Sequence, residues 1–157
     1  MGQYFGWVCE DTMEIVYSNI LGAGQKWMEQ FYDSGLNYKS IMILTTDTTS
    51  LGKGGGDLNL GNMNSTLLQF VTPMLGLWKD KKIRLLGDYS DVKHDNYKDI
   101  STNIKLSVLS IIYNDFLTTS CNTKDLKNIM ITYLSNKVPR INWKNDIELL
   151  KILDCVS

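Results

Sequence analysis

The residues best suited to chemistry sit in two stretches. The first is Gly52-Lys53-Gly54-Gly55-Gly56-Asp57. Glycines let the backbone reach φ > 0 and let a ligand approach main-chain N–H groups closely. Successive N–H groups in such a turn form a concave nest that favours anions, phosphate above all, and Lys53 adds a positive point charge. The tract is not a Walker A loop, because the lysine precedes the glycines and no Lys-Ser/Thr follows. Its spacing also departs from the dinucleotide fingerprint. Asp57 would repel a phosphate but could accept a bond from a ribose or base, or orient Lys53. The competing reading is a plain surface loop. The second stretch is Gly87-Asp88-Tyr89, where a strand-like run gives way to a loop. Asp88 there is either an acceptor or general base or a simple turn residue. His94, the only histidine, titrates near neutrality if free, with a solvated loop residue as the alternative. Asp88, Asp57 and His94 are the catalytic candidates. Gly52, Lys53, Gly54, Gly55, Gly56, Asp57, Trp78 and Tyr89 are the candidate ligand contacts. Trp78, Trp7 and Trp27 could stack on a base or ring, but as large apolar side chains they are read first as core or interface residues.

The composition narrows the classes. With 157 residues, 43% of them hydrophobic, the chain is expected to form one domain over 1–157 that buries a core without staples. A net charge of −1 gives no electrostatic case for a nucleic-acid partner. Cys9, Cys121 and Cys155 are odd in number, distant and without Cys-x-x-Cys spacing, so reduced thiols in a cytoplasmic setting are expected. A single histidine and scattered cysteines leave no ligand set for zinc, and no cofactor is implied. The apolar runs fall short of a membrane span, and no basic-then-apolar leader opens the chain. Met1-Gly2 lacks the Ser or Thr at position 6 that myristoylation wants, since Gly6 stands there. Lysine, asparagine and isoleucine are frequent and arginine is confined to Arg84 and Arg140. That bias fits an A/T-rich coding genome, such as phages, large DNA viruses and low-GC bacteria have, and for a viral chain the setting would be host cytoplasm.

The elements that would hold these residues follow from periodicity. Residues 3–9 and 13–18 are rich in aromatic and β-branched types and flank a short polar turn, which predicts an N-terminal β-hairpin. A glycine-punctuated loop covers 19–24. Trp27, Met28 and Phe31 fall at helical spacing within a short helix over 26–32. Ile41 to Thr46 is an apolar run of strand length, read as a buried central strand. A polar tract over 47–64 carries the glycine cluster and exceeds an ordinary connection. Ser65 to Val71 reads as a short helix stopped by Pro73, Lys82 to Leu86 as a strand, and 88–96 as a polar loop, while Asp91, Asp95 and Asp99 read as turn and cap residues. Ile104, Val108, Ile111, Ile112 and Phe116 make one apolar face, and Leu106, Leu109 and Tyr113 a second, which predicts a helix buried on more than one side. Asn122-Thr123 would cap a helix with Leu126, Ile129, Met130, Tyr133 and Leu134 inward. Asn145 would start a last helix with Ile147, Leu150 and Leu153 inward. The expected class is α+β, an N-terminal hairpin and short mixed or antiparallel sheet packed against about three C-terminal helices.

Taken together, Met1-Gly2-Gln3-Tyr4-Phe5, the Gly22 to Glu29 stretch, Gly-Lys-Gly-Gly-Gly-Asp, Gly76-Leu77-Trp78 and the strand ending at Gly87-Asp88-Tyr89 resemble one set. They are similar to a family of small uncharacterised proteins that open Met-Gly-Gln-Tyr-Tyr or Met-Gly-Gln-Tyr-Phe, found in bacteria, viruses and some eukaryotes. That family has arginine where Lys53 stands, which weakens bidentate anion recognition here, and a different run where 9–14 stands. The resemblance covers roughly residues 1–100 and implies a compact α+β fold and these motif boundaries, without an activity. Three functions remain open at this level. The leading expectation is a binder of a small phosphorylated or nucleotide-like molecule through the glycine loop, in a virus a means of sequestering a host signalling nucleotide. The second is a hydrolase or transferase using Asp57, Asp88 and His94. The third is a protein-interaction module whose aromatic and methionine side chains serve a partner or a homo-oligomer.

Overall fold

A computed structural model describes residues 2–31, 36–49, 60–119 and 125–156. The hairpin forms as its alternation demands. Strand β1 (Phe5–Cys9) pairs antiparallel with β2 (Glu14–Val16), Trp7 opposite Val16 and Cys9 opposite Glu14. Strand β3 (Ile83–Gly87) runs antiparallel along the other side of β1, Phe5 opposite Gly87 and Cys9 opposite Ile83. A two-residue strand, β4 (Lys98–Asp99), lies parallel to β2, giving the order β3-β1-β2-β4. The sheet is thus short and mixed, with the helices mostly after it in sequence, an α+β architecture.

The run expected as a central strand is instead helix α1 (Asn37–Thr45). Its buried residues are Asn37, Ser40, Ile43 and Leu44, while Ile41 is half-buried and Met42 exposed. The burial follows i, i+3, i+6 and i+7, a helical face that includes two polar positions and that an apolar count over six residues cannot reveal. The turn at Gly76 to Trp78 finishes this helix: the Gly76 N–H donates to the Ile43 carbonyl and the Trp78 N–H to that of Leu44, at 2.9 and 2.8 Å. Gly76 needs its glycine, with φ 68 and the Thr46 carbonyl oxygen only 2.9 Å from where a Cβ would sit.

Helix α2 (Ser65–Val71) starts at Asn64, whose side-chain oxygen accepts from the N–H groups of Thr66 and Leu67. Helix α3 (Ser101–Thr119) is the centre of the fold, every residue from 104 to 113 being buried. It meets α1, α2, α4 (Leu126–Lys137) and α5 (Ile147–Cys155). Its polar positions are satisfied locally: the Ser107 hydroxyl bonds the Phe70 carbonyl, and Ser110 bonds that of Leu106. Lys105 is buried on the same helix, 2.6 Å from Asp146.

The two C-terminal stripes are narrower than expected. In α4 only Leu126, Met130 and Leu134 are buried; Ile129 and Tyr133 are exposed beside Phe116. The expected cap at Asn122-Thr123 lies outside the described residues. In α5 the cap is Asp146, which accepts from the Leu149 N–H, so Ile147 and Leu150 face outward and Leu149, Ile152 and Leu153 inward. The loop expected over 19–24 contains a 3-10 turn, Ser18–Leu21, ended by Gly22 at φ 86. The helix expected over 26–32 is a 3-10 turn, Met28–Phe31. Cys9 and Cys155 are free thiols, and Cys121 lies outside the described residues. Among the described residues no helix is long and apolar enough to cross a membrane.

Candidate functional site

The glycine tract, Gly52 to Asp57, lies outside the described residues. The chain that leads into it is held against the Gly76 turn, with Asp47 and Lys79 3.1 Å apart. Trp78 follows that turn but has no free ring face. It is fully buried, and its indole N–H donates to Glu14 Oε1 at 3.1 Å. Asp88 closes the β1–β3 ladder: its Oδ1 accepts from the Tyr4 N–H and its own N–H donates to the Tyr4 carbonyl. Tyr89 is 65% exposed. Nε2 of His94 lies 2.8 Å from the Leu86 carbonyl, so that nitrogen carries a proton, and the ring rests 5.5 Å from that of Tyr17.

These residues do not share one pocket. Trp78 reaches Glu14, which is level with Cys9 and Ile83, whereas Gly87 is level with Phe5. Four residue steps along the strand separate the two levels, about 13 Å at 3.3–3.4 Å per residue. Trp78 and the Gly87-Asp88-Tyr89 turn, both candidates from the sequence, therefore stand at opposite ends of β3.

The end of the sheet where β2, β3 and β4 run out gathers other polar groups. A depression of about 290 Å³ is lined by Tyr17, Asn19, Ile20, Gln25, Asp99 and Ser101. Asp99 Oδ1 accepts from the Ser101 N–H, and Ser101 Oγ accepts from the Tyr17 N–H, both at 2.8 Å. Burial, and then the charges of Asp99 and Asp95, push the Tyr17 phenol above its ordinary pKa. Gln25 joins this depression to the next feature, because its carbonyl receives the Phe5 N–H.

That feature is a row of aromatic rings. Strand alternation puts Phe5 and Trp7 on one face of β1, and the Met28–Phe31 turn lays further rings against them. Phe5 meets Trp27 at 5.4 Å, Trp27 meets Phe31 at 5.8 Å, and Phe31 meets Trp7 at 6.1 Å, all edge to face. Trp27, Met28 and Phe31 are 49%, 60% and 59% exposed. Beneath the row the Trp7 indole N–H and the Gln30 side-chain carbonyl are buried without a hydrogen-bond partner among the described residues. Trp27, Met28 and Phe31 were expected at helical spacing within a short helix over 26–32. The signal for a cluster was real, but the turn is one 3-10 turn long and rests its rings on strand residues that cover only their edges.

At the other end of the sheet Glu10 is committed to structure. The Tyr97 hydroxyl donates to its carboxylate at 2.8 and 2.9 Å, and Arg84 bonds it through Nε and Nη2 at 2.8 and 2.6 Å. The Tyr97 hydroxyl, and after it Arg84, hold the Glu10 carboxyl below its ordinary pKa. Among the described residues no group of three His, Cys, Asp or Glu side chains is placed to hold a metal ion. Comparison with protein-family models, with curated proteins and with solved structures finds no match.

Proposed function

We propose that this protein is an interaction module whose contact surface is the exposed ring row, and that its partner is a second copy of the chain. The observation that carries this reading is the exposure of Trp27, Met28 and Phe31 on a row continued by Phe5 and Trp7. Large flat side chains left in water at neighbouring positions are the usual anchors of protein interfaces. A net charge of −1 leaves little repulsion between copies. Lys26 and Glu29 border the rings with opposite signs, so one surface can complement itself across a two-fold axis.

The phosphorylated-ligand reading rests on Gly52 to Asp57 and stands as a separate proposal, tested by thermal shift in a nucleotide mixture. The hydrolase reading is weaker here, since Asp88 is occupied in closing the sheet.

Sedimentation velocity from about 1 to about 500 µM, a range spanning dissociation constants worth roughly 4.5–8 kcal/mol, tests the interaction. The wild type should pass from monomer to dimer across it, and the doubly substituted Trp27→Ser, Phe31→Ser chain should stay monomeric. A wild type that stays monomeric throughout would overturn the proposal.

A further inference from the structure

The depression at the end of the sheet carries an inference independent of self-association. We propose that it binds a small primary amine with a hydroxyl or carboxylate oxygen close to the ammonium, the amino-alcohol and amino-acid class. Asp99 is the one charged side chain among its lining residues, and Asp95 adds negative charge from nearby. The opposing field is that of the N-terminus of α3, and Asp99 already takes the Ser101 N–H there. The balance therefore favours a cation.

The groups also match in number. With Oδ1 of Asp99 fixed by the Ser101 N–H, Oδ2 has no hydrogen bond among the described residues. An ammonium has three donors, one for that oxygen and others for the side-chain carbonyls of Asn19 and Gln25 at the rim. Ser101 supplies the complementary demand. It is 2% exposed and lines the depression, and its oxygen accepts from the Tyr17 N–H, while its own O–H has no acceptor among the described residues. A buried hydroxyl proton calls for an acceptor, and a ligand oxygen two or three bonds from the ammonium would provide one. A volume of about 290 Å³ admits a few-atom ligand with its waters and is small for a nucleotide.

Titration of the ¹⁵N-labelled chain with ethanolamine, followed by amide shifts, tests the site. Residues 17–25 and 99–102 should shift saturably with an approximately millimolar dissociation constant, as expected for so few atoms. Asp99→Asn should weaken binding by about ten-fold or more, yet keep an oxygen for the Ser101 N–H, so spectra elsewhere should be unchanged. Ser101→Ala should weaken ethanolamine but leave methylamine, which has no oxygen, as it was. Absence of saturable shifts up to about 50 mM, a concentration that reveals even affinities of roughly 2 kcal/mol, would overturn the proposal. Saturation by acetate in place of ethanolamine would do the same, by making the site an anion site. Equal loss of methylamine and ethanolamine in Ser101→Ala would remove the oxygen contact and with it the ligand class.

Discussion

Replacing Lys105 with methionine should destabilise the protein by about 3 kcal/mol, the lower end of the range for breaking a buried ion pair from one side. The Lys105 side chain is 5% exposed, and its ammonium lies 2.6 Å from Asp146, 3.5 Å from Glu148 and 5.5 Å from the centre of the Trp143 ring. Methionine keeps the buried apolar stem, so little packing is lost. The cost is the orphaned Asp146 carboxylate, itself 11% exposed. It stays at the lower end because Asp146 still accepts from the Leu149 N–H. For a chain of this size the melting temperature should fall by about 6–12 °C, read by circular dichroism and checked by urea titration. Adding Asp146→Ser should restore most of the loss, since serine can cap α5 and the carboxylate that remains, Glu148, is the more exposed of the two at 21%. A single variant within about 1 kcal/mol of wild type would refute the reasoning, because it would mean that water already solvates the pair.

Three further outcomes follow from other parts of the fold. Ile112→Asp should leave no cooperative transition at room temperature. It places an unpaired carboxylate at a position 5% exposed in α3, a change costing over ~4 kcal/mol, and wild-type melting would show α3 to be peripheral. Glu14→Ala strands the buried Trp78 indole N–H, and urea unfolding should find a loss of about 1–3 kcal/mol. Glu10 has its pKa depressed in the fold, so its contribution is present above the ordinary carboxylate range and lost as pH falls through the folded value. Tyr97→Phe removes the main cause of that depression, so its urea midpoint should vary less steeply with pH below about 5 than that of wild type.

The sequence was most legible where one period dominated. Alternation in 3–9 and 13–18 gave the hairpin, and the all-round apolar pattern of 104–116 gave the buried helix. It misled where a short run satisfied two periods, as at Ile41 to Thr46. It also misled where a cap decided the phase: starting α5 from Asp146 rather than Asn145 turns Ile147 outward. In Trp27, Met28 and Phe31 the cluster could be read but its exposure could not, because exposure depends on how much of each ring β1 covers. The polar depression had no local signature. Its Tyr17 and Ser101 are 84 residues apart and meet only because β4 aligns with β2. The glycine tract, the most conspicuous motif in the sequence, lies outside the described residues, so its pocket was not brought to a test by the fold.

Self-association through the ring row is tested most directly at Met28. The chain has seven methionines, and ¹³C-methyl spectra report each separately. Met28 is 60% exposed within the row, while Met74 and Met130 are 6% and 0% exposed in the core. Over a dilution series from about 500 to about 5 µM, bracketing a dissociation constant worth roughly 6 kcal/mol, the Met28 methyl should shift with concentration. The Met74 and Met130 methyls should stay fixed, and Trp27→Ser should abolish the Met28 shift. A Met28 methyl that keeps one position across the whole series would contradict the account.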